Sequence, residues 1–499
     1  MILRRLASTA ATTKFSLPPT IRQLLASPTT GATYSVPTTT VSGWIKSIRK
    51  QKNVSFAVIN DGSSPKGLQA VLVKGKDDEV LRRLSNGAAV RLTGRLVSSP
   101  GAGQSHELLV DENAGGEVVV LGDCNPETYP IQKKSLTAEY LRDHVHLRTR
   151  TSHIAAMIRL RDVLARRIND WFESQGFCYA NTPVITGNDA EGAGEAFRLA
   201  LAESQHPATA KPIQSQHPTP TEFFSRPAYL TVSHQLHLEA LATALSRVYT
   251  LSPCFRAEPS LTGRHLAEFW MLEAEWAFPT ANGVHGVCDL TEALLRETVG
   301  ELLSTEDVDL LWQDVGDSRR RILQNAIETP ASWIHMTYSE AIQELEKVST
   351  SGTVKFTYTP KWGHGLQSEH ERWLAETLIG RPVFVVDYPA ALKPFYMRAN
   401  PDDKTVACFD LLVPYVGELV GGSVREERAA VLEQKMRDDG LLDGSQEGSY
   451  EWYLDLRRYG GAPHAGFGMG FERLMSWISG IDNIRECIPM PRWAGRMLL

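Results

Sequence analysis

The 499-residue sequence predicts an α+β chain: a small five-stranded β-barrel, then a larger domain in which an antiparallel sheet is flanked by helices. Three observations predict it. Short β-like runs separated by Gly, Ser, Asp and Pro fill residues 34 to 121. The apolar and aromatic stretch from Cys254 to Phe278 is broken by Pro259, Thr262 and Gly263, so it reads as an antiparallel hairpin. In HAGFGMGFERLMSWISG, residues 464 to 480, glycines alternate along a strand at 466, 468 and 470 before the pattern turns amphipathic at helical spacing.

Composition sets outer bounds. Hydrophobic residues at 42% and charged residues at 22% are ordinary for a globular enzyme, and the length leaves room for two full cores. No run of about 18 apolar residues occurs, which argues against a membrane-spanning helix. A formal charge of −6 gives no global signal for nucleic acid, so any RNA contact requires a local basic surface. The cysteines at 124, 178, 254, 288, 408 and 487 form no C-x-x-C pair, which argues against a zinc cluster or disulfide framework.

Taken in order, residues 1–33 carry Arg4, Arg5, Lys14 and Arg22, no acidic residue and no continuous apolar core. This is the composition of a mitochondrial transit peptide, which predicts a matrix location; a disordered extension has the same composition. Residues 34–122, with strands such as TVSGWIKSIRK and VSFAVINDGS and the helical insertion DDEVLRRLSNG, fit an OB-fold. Lys46, Arg49, Lys50 and Lys52 cluster beside Phe56, offering charge to phosphates and a ring to a base. A basic hairpin with a core Phe gives the same pattern. Residues 123–150, broken by Pro126 and Pro130, read as a hinge or a solvated linker, and residues 151–499 as the larger domain.

That domain opens with a helix from Ser152 to Gln175, stopped by Gly176, and a strand FCYANTPVI ending near Pro183. TGNDAEGAGEAF (186–197) is a Gly-rich acidic loop, and residues 200–227, rich in Pro, Gln and His, read as a surface insertion. YLTVSHQLHLEALATAL begins as a strand and becomes a helix; residues 282 to 348 read mostly as outer helices. VFVVDYPAALKPFYMR gives a buried strand and a loop, and VACFDLLVPYVGELVGGSVREER a second acidic hairpin. On the first hairpin, alternation places Arg256 with Glu258, and Phe269 with Met271, Glu273 and Glu275. So many carboxylates on an apolar hairpin require a ligand, a metal or partner side chains, and mutual pairing of the charges is the simplest such arrangement.

FRAE, the downstream HLAEF and GFGMGFER, in this order and spacing, resemble motifs 2 and 3 of class II aminoacyl-tRNA synthetases. The helix, strand and proline at 152–183 resemble motif 1, which in the family forms a homodimer interface. RHLAEFWMLEAE, DYPAALKPFYMR and WYLDLRRYGGAPHAGFGMGFERL are similar to asparaginyl-tRNA synthetases, and the similarity runs from about Val41 to Arg492. The resemblance implies that the chain joins asparagine to its tRNA with ATP. Arg256 would bridge the substrate carboxylate and the α-phosphate, and Phe269 and Arg473 would sandwich adenine. Glu258 and His265 would assist at the ATP, while Asp410 and Glu418 would hold Mg2+. Glu191 and Gln235 would take the α-ammonium group. Phe56, Arg49 and Gln69 would meet the anticodon, and the hinge would touch the tRNA.

The side-chain pocket carries the choice of amino acid. Aspartyl enzymes of this subgroup place a Lys three residues after the glutamine, where this sequence has Leu238. Glu273 and Arg425 would then serve an amide, the one accepting from NH2 and the other donating to the oxygen. A Glu273–Arg425 pair is expected in the empty site. His234 departs from the glycine expected beside Gln235. An aspartyl or dual enzyme, a tRNA-independent asparagine synthetase and a catalytically dead RNA-binding paralogue are the rival readings.

Overall fold

The structure is a computed structural model that describes residues 17–26, 38–73, 78–101, 104–187, 196–200, 223–442 and 450–499. The chain divides into two compact units, Met1–Ala155 and Ala156–Leu499.

The first unit is a barrel. Its strands are β1 (Thr38–Lys50), β2 (Val54–Asn60), β3 (Leu68–Val73), β4 (Ala89–Ser98), β5 (His106–Val110) and β6 (Glu117–Gly122). They run in the order β1-β2-β3-β5-β4, and β4 returns to β1, so five strands close and β6 adds to β4. A register shift between Ile45 and Ser47 bends β1 from one partner to the other, as closure requires. Alternate residues such as Leu68, Ala70 and Leu72 point inward and are buried. The expected helical insertion is the helix Asp78–Arg83. A short helix, Ile21–Ala26, inserts the fully buried Ile21 into the barrel core, and Ile21 N donates to Asp61 Oδ2 at 2.8 Å. This part of the stretch assigned to the leader therefore packs with the barrel. Residues 1–16 and 27–33 of that stretch lie outside the described residues. The connecting segment 123–150 holds two short helices, Ala138–Asp143 and Val145–Arg148, the first capped by Thr137.

The second unit is built on a sheet whose strands include β7 (Cys178–Tyr179), β10 (Arg247–Phe255), β11 (Glu268–Ala277), β12 (Ile334–Thr337), β13 (Val383–Val386), β14 (Cys408–Val413), β15 (Gly417–Val424) and β16 (His464–Gly470). Their order is β12-β13-β14-β15-β16-β11-β10-β7, antiparallel except at the two ends. A separate pair, β8 (Ile185–Thr186) and β9 (Tyr229–Leu230), lies outside it. The predicted strand FCYANTPVI is thus reduced to β7; Pro183 lacks an N–H, and Thr182 spends its hydroxyl on His234 at 2.7 Å.

β13 reads VFVV because both of its faces are covered, and all four side chains are buried. Tyr338, Leu374, Leu432 and Tyr453 pack in the same core. The helix Tyr338–Thr350 starts at a Thr337/Glu340 capping box. The helix Ser152–Ser174 follows the predicted span. The helix Phe471–Ser479 leaves β16 directly and stops at Gly480, whose φ of 75° is the left-handed conformation glycine adopts without penalty.

The central hairpin is shorter on its first arm than alternation suggests. β10 ends at Phe255, so Arg256 and Glu258 stand in the connection rather than on the strand; Arg256 N still donates to Ala267 O at 3.0 Å. On β11 the alternation holds, and Met271, Glu273 and Glu275 border one cavity. Among the described residues, no helix is long and apolar enough to cross a membrane.

Candidate active site

The cavity has a volume of about 550 Å³ and lies over the middle strands β11, β16, β15 and β14. Its polar lining includes Ser233, Gln235, Arg256, Glu273, Glu275, Lys393, Asp410, Glu418 and Arg425. Six residues expected from the sequence therefore share one cavity.

At one end stand Glu273 and Arg425, but they do not pair with each other as expected. Arg425 instead lies on Glu275, with Nη2–Oε2 at 2.9 Å and Nε–Oε1 at 3.1 Å, and its Nη1 donates to Ser423 Oγ at 2.7 Å. Burial opposes the guanidinium charge, yet the Glu275 carboxylate outweighs it and holds Arg425 above its ordinary range. Glu275 itself is pushed up by burial. Glu273 accepts from Ser233 Oγ at 2.5 Å and from His234 N at 2.8 Å. His234, the departure from the expected glycine, is fully buried, held by Thr182 and by Pro253 O at 3.1 Å. Its backbone N–H serves Glu273, while its ring nitrogens bond Thr182 and Pro253 instead.

The glycines of β16 explain the crowding. A Cβ on Gly466 would sit 2.0 Å from Glu275 Oε2 and 2.4 Å from Ala274 O, so this glycine makes room for the buried carboxylate. Gly468 is the position left open to the cavity; a Cβ there would meet Met271 Sδ at 3.5 Å.

At the other end, Lys393 Nζ contacts both oxygens of Asp410, at 2.9 and 2.8 Å. Burial and the neighbouring Glu418 push Asp410 up, against the pull of Lys393. Burial also works against Glu418, but Arg473, Lys393 and Arg256 outweigh it and hold that carboxyl below its ordinary value. Arg473 Nη1 donates to Glu418 O at 2.8 Å and lies 3.4 Å from its Oε2. Asp410 and Glu418 flank Gly421, where a Cβ would be 3.6 and 3.4 Å from one oxygen of each. Two carboxylates converging on a glycine gap are a donor set that suits a hard divalent cation.

The Arg256 guanidinium sits 5.5 Å from the centre of the Phe269 ring, and Glu258 pairs with His265 at 3.2 Å. A second cavity, about 300 Å³, is bordered by Arg264, Arg372 and Arg473. Glu371 reaches Arg264 at 3.6 Å and accepts from Glu418 N at 3.2 Å. Glu191 lies outside the described residues, as does most of the 200–227 insertion.

Sequence reasoning missed Lys393, Glu371, Arg264 and the pairing role of Glu275. Lys393 stands alone in a loop with no periodic neighbour, and Glu371 is remote in sequence from everything it touches. Only the sheet brings them together.

On the barrel, Arg49 pairs with Phe56 across β1 and β2, and its guanidinium lies 5.2 Å from the ring centre. Phe56 faces Val71 on β3, so Gln69, two residues away, shares that face, with Nε2 3.3 Å from Glu107 Oε2. The three expected anticodon contacts thus occupy one face.

Residues 137–494 match the family of class II tRNA synthetases (D, K and N), and residues 39–113 match the OB-fold nucleic acid binding domain. The chain belongs to the class II tRNA synthetases of this group. An asparagine–tRNA ligase of Thermosynechococcus vestitus is 45% identical, over 91% of this chain and 95% of its own length. The asparaginyl-tRNA synthetase of Pyrococcus horikoshii, solved with asparaginyl-adenylate, superposes with a TM-score of 0.77 at 29% identity, covering 92% of this chain and 96% of that one. The Entamoeba histolytica enzyme, also solved with asparaginyl-adenylate, gives 0.75 at 26%, covering 93% and 97%. In this class II chain the cavity on β11, β15 and β16 coincides with its motif 2 and motif 3 segments.

One prediction concerns pH. Burial and the nearby Glu418 push the Glu371 carboxyl up to about 6 from an ordinary 4.5. The folded value lies above the unfolded one, so Glu371 contributes stability below about pH 4.5 that is lost as pH rises through about 6. Glu371→Gln removes that dependence. Between pH 4.5 and 7, unfolding free energies should shift in favour of the variant by up to about 2 kcal/mol. Chemical denaturation at each pH checks it, and parallel profiles would refute the assignment.

Proposed function

We propose that this chain is an asparagine–tRNA ligase. It activates asparagine with ATP to asparaginyl-adenylate and passes the asparaginyl group to the 3′ end of tRNA(Asn). The observation that carries the choice of amino acid is the pairing state of Glu273 and Arg425 in one cavity. A carboxylate has about four acceptor sites, and Glu273 spends two on Ser233 and His234. A guanidinium has five N–H donors, and Arg425 uses its Nε, one on Nη1 and one on Nη2. Glu273 therefore keeps acceptors for an amide NH2, and Arg425 keeps donors for an amide oxygen. Leu238, which borders the same cavity, supplies no cation for a second carboxylate.

In the first step a carboxylate oxygen of asparagine attacks the α-phosphorus of ATP and pyrophosphate leaves. In the second, a hydroxyl at the tRNA 3′ end attacks the carbonyl carbon and AMP leaves. Both reactants of the first step are anionic, so catalysis consists of alignment and charge neutralisation. Arg256 binds the carboxylate and α-phosphate, with Phe269 beneath it as a platform for adenine. Arg473 faces the distal phosphates from the arginine-lined cavity. Asp410 and Glu418 would hold Mg2+, which neutralises phosphate charge when bound. Lys393 keeps Asp410 paired and adds a cation to the same wall.

The homodimer is part of this reading. Its support is the motif 1 helix and a groove bordered by Asn169, Glu173, Tyr179 and Trp270, where Tyr179 and Trp270 are 42% and 36% exposed at the β7 end of the sheet. Sedimentation equilibrium should return twice the chain mass; a monomer at micromolar concentration would refute it. The reading also puts the enzyme in the mitochondrial matrix, on the basic, acid-free composition of residues 1–16, which precede the helix Ile21–Ala26 packed in the barrel. Fused to a fluorescent reporter, residues 1–35 should direct it to mitochondria, and a cytosolic signal would remove that part of the proposal.

Amino-acid-dependent ATP–pyrophosphate exchange tests the chemistry. Asparagine should support exchange with a kcat/KM about 10⁴ above that for aspartate, the range reached when a mismatched ligand leaves buried polar groups unpaired. Comparable exchange with aspartate would overturn the pocket assignment, and silence with both would favour an RNA-binding protein without activity.

A further inference from the structure

Behind the cavity wall lies a charged cluster that the adenylation chemistry does not touch. Glu239 is fully buried one turn after Gln235 on the helix Gln235–Leu245. Tyr453 Oη donates to it at 2.7 Å, Arg457 Nη2 donates at 2.6 Å, and His464 Nε2 lies 2.9 Å away. Burial opposes its charge, yet Arg457, His464 and Arg425 outweigh burial and hold this carboxyl well below the ordinary range.

An ionised carboxylate offers only lone pairs. The Gln235 amide nitrogen, 3.0 Å from Glu239 Oε1, must therefore be the end turned inward, and the amide oxygen is left for the cavity that Gln235 borders. An amide beside a neutral partner has no such constraint, because it can turn over and present NH2 instead.

We propose that Glu239 is a positioning residue that fixes the Gln235 amide with its oxygen toward the cavity, making it an obligate acceptor for the α-ammonium group of the amino acid. The inference rests on reading the cavity as the asparagine site. Glu239 never meets the substrate. It decides which end of Gln235 does, so a cation is welcomed rather than repelled. Tyr453 and Arg457 come from the helix Glu451–Arg458 and His464 from β16, so two separate elements anchor the orientation.

The test uses the full chain and ATP–pyrophosphate exchange, with KM measured separately for asparagine and ATP. Glu239→Gln gives Gln235 a neighbour that donates as well as accepts, and the amide is released. The KM for asparagine should rise about tenfold or more while that for ATP stays within about twofold, a split that a general loss of structure would not produce. The exchanged pair, Gln235→Glu with Glu239→Gln, keeps one carboxylate in the cluster and presents an oxygen to the cavity whichever way it turns. It should return the asparagine KM to within about threefold of the parent. If Glu239→Gln alone does not fold, as judged by thermal melting, the exchanged pair carries the decision. An unchanged asparagine KM in the single variant, or a folded exchanged pair with normal ATP binding and a tenfold higher asparagine KM, overturns the proposal. Silence of the parent chain with asparagine instead overturns the functional reading, and this inference with it.

Discussion

The buried ion pair between Glu275 and Arg425 is the contact on which the rest of the site depends. Side-chain exposure is 1% for the acid and 3% for the base, so neither can be satisfied by water. Breaking such a pair leaves a bare buried charge and costs about 3–5 kcal/mol. The sequence accommodates it with a glycine at 466, because any Cβ there would collide with the Glu275 carboxylate. A pair this costly to break fixes the side chain of Arg425 before any ligand arrives, with donors still to spare.

The same logic extends along the sheet. Each functional side chain bordering the cavity is already held by a partner that is not substrate: Glu273 by Ser233 and the His234 backbone, Gln235 by Glu239, Asp410 by Lys393, and Glu418 by Arg473. Preorganisation of this kind lowers the reorganisation needed when charge develops on the phosphate. It also lets a pocket with many charged groups exist without ligand, since these carboxylates are met in the resting state by a counter-ion or, at Glu273, by neutral hydrogen-bond donors.

How much of this was legible in the sequence follows from what sequence patterns encode. Strand alternation placed Met271, Glu273 and Glu275 on one face, and the glycine rhythm located β16, because both are local and periodic. Alternation failed at Arg256 and Glu258, where Pro259 and a long polar connection end the ladder. The expected Glu273–Arg425 pair was wrong for a different reason. Two glutamates two residues apart point the same way, and only the registers Glu275↔Gly466 and Ser423↔Gly466 decide which one meets the arginine that follows β15. Lys393 and Glu371 carried no signal, since contacts between remote loops leave no periodic trace. Burial of Ile21 in the barrel was hidden similarly, its helix being too short to stand out from the basic stretch around it.

That register also bears on amide selection. With Glu275 committed to Arg425, the acid left facing a ligand is Glu273, which is paired only with neutral donors. A carboxylate without a cationic partner favours a ligand that donates and disfavours one that brings negative charge. Had Arg425 paired with Glu273, its charge would be neutralised and an aspartate side chain would be opposed less strongly. On the proposed reading, specificity for an amide would come from a division of labour on one strand: Glu275 neutralises the arginine, and Glu273 stays free to reject an acid.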